Sequence, residues 1–156
     1  GSSLGQLVNK MSEDYEINKN FKLGLPAGIK TYGDDTFSEK TEGYYSGLSL
    51  ILMKANFEGT RRAFSGRLPS FIDGIGIDDL LIESGASEVA SDIRAQFTAL
   101  STALDAIPEP FSEAVNTHQA EIQNAYDVAQ GMVVLFKTEM ASALGVQISY
   151  QDQDND

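Results

Sequence analysis

Few residues in this chain have the types and spacing that chemistry requires, and they are scattered. His118 is the only histidine, in Asn116-Thr117-His118-Gln119-Ala120-Glu121. Three apart on a helix, His118 and Glu121 share a face and can both reach one metal ion, which makes them a weak candidate pair of metal ligands. Two ligands do not make a site, and His118 also continues an apolar stripe between Val115 and Ile122. That position predicts a half-buried, hydrogen-bonded histidine. Asp152, Asp154 and Asp156 occupy the first three acidic positions of a calcium loop, without its glycine and distal glutamate, and read as a solvated tail. Gly74-Ile75-Gly76 lacks the third glycine and the preceding strand of a dinucleotide site and reads as a loop. Arg61 and Arg62 stand near the end of an expected helix, where they stabilise its last carbonyls or pair with acidic groups. Glu42, Tyr45 and Ser46 sit where a long loop enters that helix. Glu42 is favoured near the helix start, and Tyr45 is expected to line a core or a groove.

The absence of cysteine excludes thiol catalysis, thiolate metal sites and disulfides. Charge narrows the partners. The 156 residues carry a formal net charge of −12. Residues 1–67 hold nine basic and eight acidic side chains, whereas residues 68–156 hold only Arg94 and Lys137 against fifteen acidic ones. Nucleic acid and anionic membranes are poor partners for such a surface, because both require clustered Lys and Arg. Cations or a basic partner are attracted. No apolar run reaches the ~18–20 residues that span a bilayer, so direct membrane insertion is not expected.

The elements that must position these residues are helical. Val89, Ile93, Phe97, Leu100, Leu104 and Ile107 recur at steps of three and four, predicting a helix over 87–107 that stops at Pro108. A second long helix is expected from Pro110 to a stop at Gly145, with Val115, His118, Ile122, Ala125, Ala129, Val133, Phe136, Met140 and Leu144 on one face. Leu4, Val8, Met11 and Tyr15 predict a helix in the first twenty residues. Tyr45, Leu48, Leu52, Ala55, Gly59 and Ala63 predict another over 44–64, weakened at Gly59 by roughly 1 kcal/mol relative to Ala. A short helix is expected at 77–82. Residues 22–43 and 65–76 form Gly-rich connections, the first longer than usual and therefore a candidate for function. The pattern predicts an all-α domain, an antiparallel four-helix bundle over 1–156 with an acidic tail at 151–156.

Several segments together resemble the C-terminal half of the imelysin family, also called M75 peptidase-like. They are Glu42-Gly43-Tyr44-Tyr45-Ser46, then Asn56 and Arg61, then Ile77-Asp78-Asp79-Leu80-Leu81, then Ala106-Ile107-Pro108-Glu109-Pro110-Phe111. Leu144 to Tyr150 completes the order. The resemblance covers residues 20–156 and is most specific around Pro108. It implies a two-bundle, all-α protein of the bacterial cell envelope, periplasmic or a surface lipoprotein, associated with iron uptake. It also implies a ligand cleft between two halves, and some members are described as metallopeptidases. The family signature, Gly-x-His-x-x-Glu, belongs to the first half. Here the only His-x-x-Glu is His118 to Glu121, in the second half, with Asn116 where the glycine belongs. Its role is therefore not transferred.

The resemblance implies a non-catalytic half whose partner is the N-terminal imelysin-like half. Glu42, Tyr45, Ser46, Asn56 and Arg61 are then the expected polar lining of the cleft, with iron or an iron-carrying ligand as its cargo. No cofactor is expected in this chain, and iron or zinc in the complete protein. Two alternatives stand beside this reading. One is a metallopeptidase whose metal motif lies outside this chain. The other is a structural or protein-interaction bundle, which predicts an exposed apolar face.

Overall fold

The computed structural model describes residues 2–31, 35–67 and 74–149. Among them there is no β-strand. Helix α1 (Ser3–Ile17) continues into a π-helical turn (Asn18–Gly24), and α2 spans Ser49–Phe64. A short α3 (Ile77–Glu83) precedes α4 (Ser87–Asp105). The last stretch comprises α5 (Phe111–Thr117), α6 (Gln119–Val134), a second π-helical turn (Leu135–Met140) and α7 (Ala141–Ala143).

Local chemistry sets the ends of these helices. The Ser2 hydroxyl accepts from Gly5 N–H at 3.1 Å and caps α1, satisfying one donor that the first turn cannot pair internally. Asp79 Oδ2 accepts from Gly76 N–H at 2.8 Å, and Asp78 and Asp79 place negative charge in the first turn of α3. Helix α3 ends where Gly85 adopts φ +85°, a left-handed conformation that costs glycine nothing. The amide of Ala86 then donates back to Leu81 O, and α4 starts one residue later.

The four longest helical stretches pack in a ring, each beside the next in the order α1, α2, α4, α6. Tyr15 of α1 meets Phe57 of α2, while Lys22 beyond α1 reaches Glu42 ahead of α2. Lys54 near the start of α2 pairs with Asp105 at the end of α4, and Phe64 at the end of α2 meets Phe97 earlier in α4. Glu16 pairs with Lys137, and Asn20, four residues later, bonds Tyr126, eleven residues earlier. Each pairing advances on one helix as it retreats on the other, the sense an antiparallel four-helix bundle requires. The fold is all-α, and its contacts are compatible with that bundle.

The core is a cluster of buried apolar side chains from all of these helices. At its centre Phe136 lies 5.4 Å from Tyr15, 6.1 Å from Phe97 and 6.5 Å from Phe64, centroid to centroid. Gly24 is required by packing, because a Cβ there would stand 2.7 Å from Tyr126 Cε2.

Three expectations change. The long helix over 110–144 is interrupted at His118, whose φ −130° and ψ 46° leave the helical region, and it carries a π turn near its end. The helix expected over 44–64 begins at Ser49, after a 3₁₀ turn at Tyr44–Ser46. Its buried face is also different. Leu50, Met53, Phe57, Thr60 and Phe64 face the core, while Tyr45, Leu48, Leu52, Ala55, Gly59 and Ala63 are exposed. Both sets follow the three/four rhythm, and the set with two phenylalanines removes more apolar area from water. The aspartates of the tail, Asp152, Asp154 and Asp156, lie outside the described residues.

Phe136→Ala is expected to lower unfolding stability by about 3–5 kcal/mol, because three aromatic neighbours cannot collapse into the space. Urea unfolding followed by circular dichroism measures it.

Candidate functional site

Helix α2 carries polar groups on both flanks and so lies between two grooves. The first, of about 550 Å3, runs between α1 with its π turn and α2. Leu7, Met11 and Ile17 give it an apolar wall, and Lys10, Asp14, Asn18, Lys22, Asn56 and Thr60 give it polar groups. Lys10 Nζ stands 3.0 Å from Asp14 and 3.2 Å from Glu13. Hydrogen bonding to Asp14, then to Glu13, raises the pKa of Lys10 above its ordinary value. Lys22 Nζ lies 2.8 Å from Glu42 Oε2, so the loop carboxylate is tied to the groove through a lysine that lines it.

The second groove, of about 320 Å3, runs between α2 and α4 over Phe57, Phe97, Leu100 and Leu104. Its rim is ionic. Arg61 donates to both carboxylate oxygens of Glu58, from Nε at 2.6 Å and from Nη2 at 2.8 Å, and Arg62 Nε adds a third bond at 2.8 Å. These bonds, led by Arg61, outweigh desolvation and hold the Glu58 carboxyl at about 2, well below the usual carboxylate range. The groove continues toward α3, where Arg94 Nη2 meets the buried Asp78 at 2.8 Å. Both grooves combine an apolar wall or floor with paired charges, which suits recognition of an amphipathic ligand.

The expected cleft residues therefore separate. Asn56 lines the α1–α2 groove, Glu42 reaches that groove only through its ion pair with Lys22, and Arg61 lines the α2–α4 groove. Tyr45 and Ser46 line neither. Tyr45 is 99% exposed on the 3₁₀ turn, edge-on to Tyr44, and the Ser46 hydroxyl donates to Gly43 O at 2.8 Å. His118 and Glu121 do not share one continuous helix. His118 occupies the break before α6, its Nδ1 2.9 Å from Thr117 Oγ1, and Glu121 falls in the first turn of α6. Among the described residues, no three His, Cys, Asp or Glu side chains are grouped to hold a metal ion.

Sequence reasoning missed a buried polar layer between α1 and α6. Lys19 donates to Gln130 and lies 4.8 Å from the Tyr126 ring centroid. Tyr126 donates to Asn20 Oδ1 at 3.1 Å, and the buried Asn20 amide nitrogen has no hydrogen-bond partner among the described residues. Tyr15 donates to Ala129 O at 3.2 Å, and burial pushes its phenol well above the ordinary range. The only signal in the sequence was a lysine and an asparagine next to the Leu4–Tyr15 stripe.

A family model described as imelysin, peptidase M75, matches residues 1–133. The chain belongs to the imelysin family. Its fold is similar to the crystal structure of an imelysin peptidase from Bacteroides ovatus, with a TM-score of 0.74 at 22% identity. The match covers 91% of this chain and 42% of that one, so this imelysin chain spans less than half the length of that relative. At this identity the likeness establishes the fold. No curated protein matches the chain.

The Glu58 cluster sets a pH dependence. A depressed carboxyl contributes stability above its unfolded pKa of 4.5, and that contribution is lost as pH falls toward about 2. The stability difference between the native protein and Glu58→Gln should therefore be full at neutral pH and shrink through that acidic window. Urea unfolding of both proteins across it provides the check.

Proposed function

We propose that this chain is the non-catalytic part of an imelysin-type protein of the cell envelope that takes part in iron uptake. It supplies one wall of a ligand cleft, and the rest of the protein supplies the other. The observation that carries this reading is the partial coverage: 91% of the chain matches 42% of an imelysin peptidase. The lone histidine adds support, since Asn116 stands in the glycine position of Gly-x-His-x-x-Glu and His118 sits at a helix break. Iron and the cell-envelope location rest on family resemblance.

Within this reading the α1–α2 groove is the better candidate for the cleft wall. It gathers Asn56 directly and Glu42 through Lys22. Its mechanism is capture and hand-over, with ionic and amide groups orienting the ligand while covalent chemistry lies elsewhere. Two other readings remain. In the first, the complete protein is an M75-type metallopeptidase with its metal motif outside residues 1–156, where zinc or iron would bind. The second, an interaction bundle, draws support from the exposed apolar side of α2.

Calorimetric titration with ferrous, ferric and zinc ions tests the reading. The chain alone should bind none of them more tightly than millimolar. The longer protein should bind one ion per molecule, with affinity reduced in Asn56→Ala. Sub-micromolar one-to-one binding by the chain alone, lost in His118→Ala, would contradict it.

A further inference from the structure

Helix α2 has two apolar faces and this chain buries one. The outer face carries Leu48, Leu52, Ala55, Gly59 and Ala63 along its whole length. Leu48 is 44% exposed, Leu52 37%, and the adjoining Ile51 49%. The stripe does not end at the helix edge. Gly59 and Ala63 open into the 550 Å3 groove, across which Leu7 of α1 stands 50% exposed.

Gly59 points to what this face is for. A glycine inside a helix costs about 1 kcal/mol relative to alanine. A Cβ built at Gly59 meets no atom of the described residues within 4 Å, so none of them uses the space it leaves. Large side chains at the start of the stripe and small ones at its end make a surface against which a second helix can lie close to the α2 backbone. Charge favours the same face. Residues 1–67, which include α1 and α2, carry nearly balanced charge, while the remaining chain is strongly acidic. A partner segment that carries charge of either sign can approach this nearly neutral part of the chain without strong net repulsion.

We propose that the outer face of α2 seats a helix from the remaining part of the imelysin fold, packed over Ala55, Gly59 and Ala63. This rests on the reading above that the chain is one part of a longer protein. The occupant follows from length, since more than half of the matched imelysin peptidase has no counterpart in this chain. The docked helix presents large apolar side chains toward Gly59 and Ala63, and smaller ones toward Leu48 and Leu52.

The test compares Gly59→Leu in the chain alone and in the longer protein, by thermal unfolding. In the chain alone the substitution should raise Tm by about 2–4 °C, since it improves helix propensity in open space. In the longer protein it should lower Tm, because the new side chain enters the interface. Leu52→Asp should likewise lower Tm in the longer protein, and in the chain alone should reduce binding of an apolar dye. Equal stabilisation by Gly59→Leu in both proteins would overturn the docking face while leaving the two-part reading intact. A concentration-dependent dimer of the chain alone, dissociated by Gly59→Leu, would assign the face to a second copy and also overturn it. A complete coding sequence without further imelysin fold would overturn the two-part reading, and the docking face with it.

Discussion

The register between α1 and α6 is the constraint on which the other packing depends. Glu16 and Lys137 meet at 2.9 Å with side chains only 5% and 17% exposed. Lys19 bonds Gln130 and Tyr126 bonds Asn20 in the same interface. A buried charge separated from its partner costs about 3–5 kcal/mol, so sliding either helix by one turn strands several groups at once. Apolar contacts alone tolerate such a slip far better, because Leu, Met and Phe repack. The polar layer therefore selects one alignment, and the aromatic cluster of Tyr15, Phe57, Phe64, Phe97 and Phe136 then stabilises it.

Both π-helical turns fall in this region. Residues 18–24 extend α1 where Lys19 and Asn20 turn inward, and residues 135–140 extend α6 at Phe136 and Lys137. A π turn widens the helix locally and shifts the facing of the residues beyond it. Once α1 and α6 are aligned, α4 lies along α6, where Gln96 donates to Val128 O at 2.6 Å. Helix α2 closes the ring between α1 and α4. It can offer only one face to that interior, and the face with Phe57 and Phe64 is buried. The other is left outward, flanked by the two polar grooves. The two polar grooves and the outward apolar face of α2 are thus consequences of the same placement.

Much of this was legible in the residues. The stripe from Val89 to Ile107 marks α4 because its apolar residues have one periodic solution and Pro108 ends it. The stripe from Leu4 to Tyr15 marks α1 for the same reason. Helix α2 was legible as a helix and misread as to face. Two stripes share its period, and period alone cannot weigh Phe57 and Phe64 against Leu52 and Ala55. The break at His118 was hidden, since Asn116-Thr117-His118-Gln119 contains neither proline nor glycine. The site was less legible still. Asn56 and Arg61 are five residues apart on a helix, a separation that sends them to opposite flanks, while Glu42 reaches its groove only through Lys22. Nothing in the sequence marks Lys19 and Asn20 as buried, because burial of a charged residue depends on partners a hundred residues away.

The proposed seam along the outer face of α2 joins this imelysin chain to the rest of a larger fold. Hydroxyl-radical footprinting of the chain alone and of the longer protein reads that seam residue by residue. Tyr45, Leu48 and Leu52 are the reporters, with Val134 of α6, 50% exposed, as an internal reference. Leu48 and Leu52 should be strongly protected in the longer protein relative to Val134. Equal modification of these leucines in both proteins would contradict it.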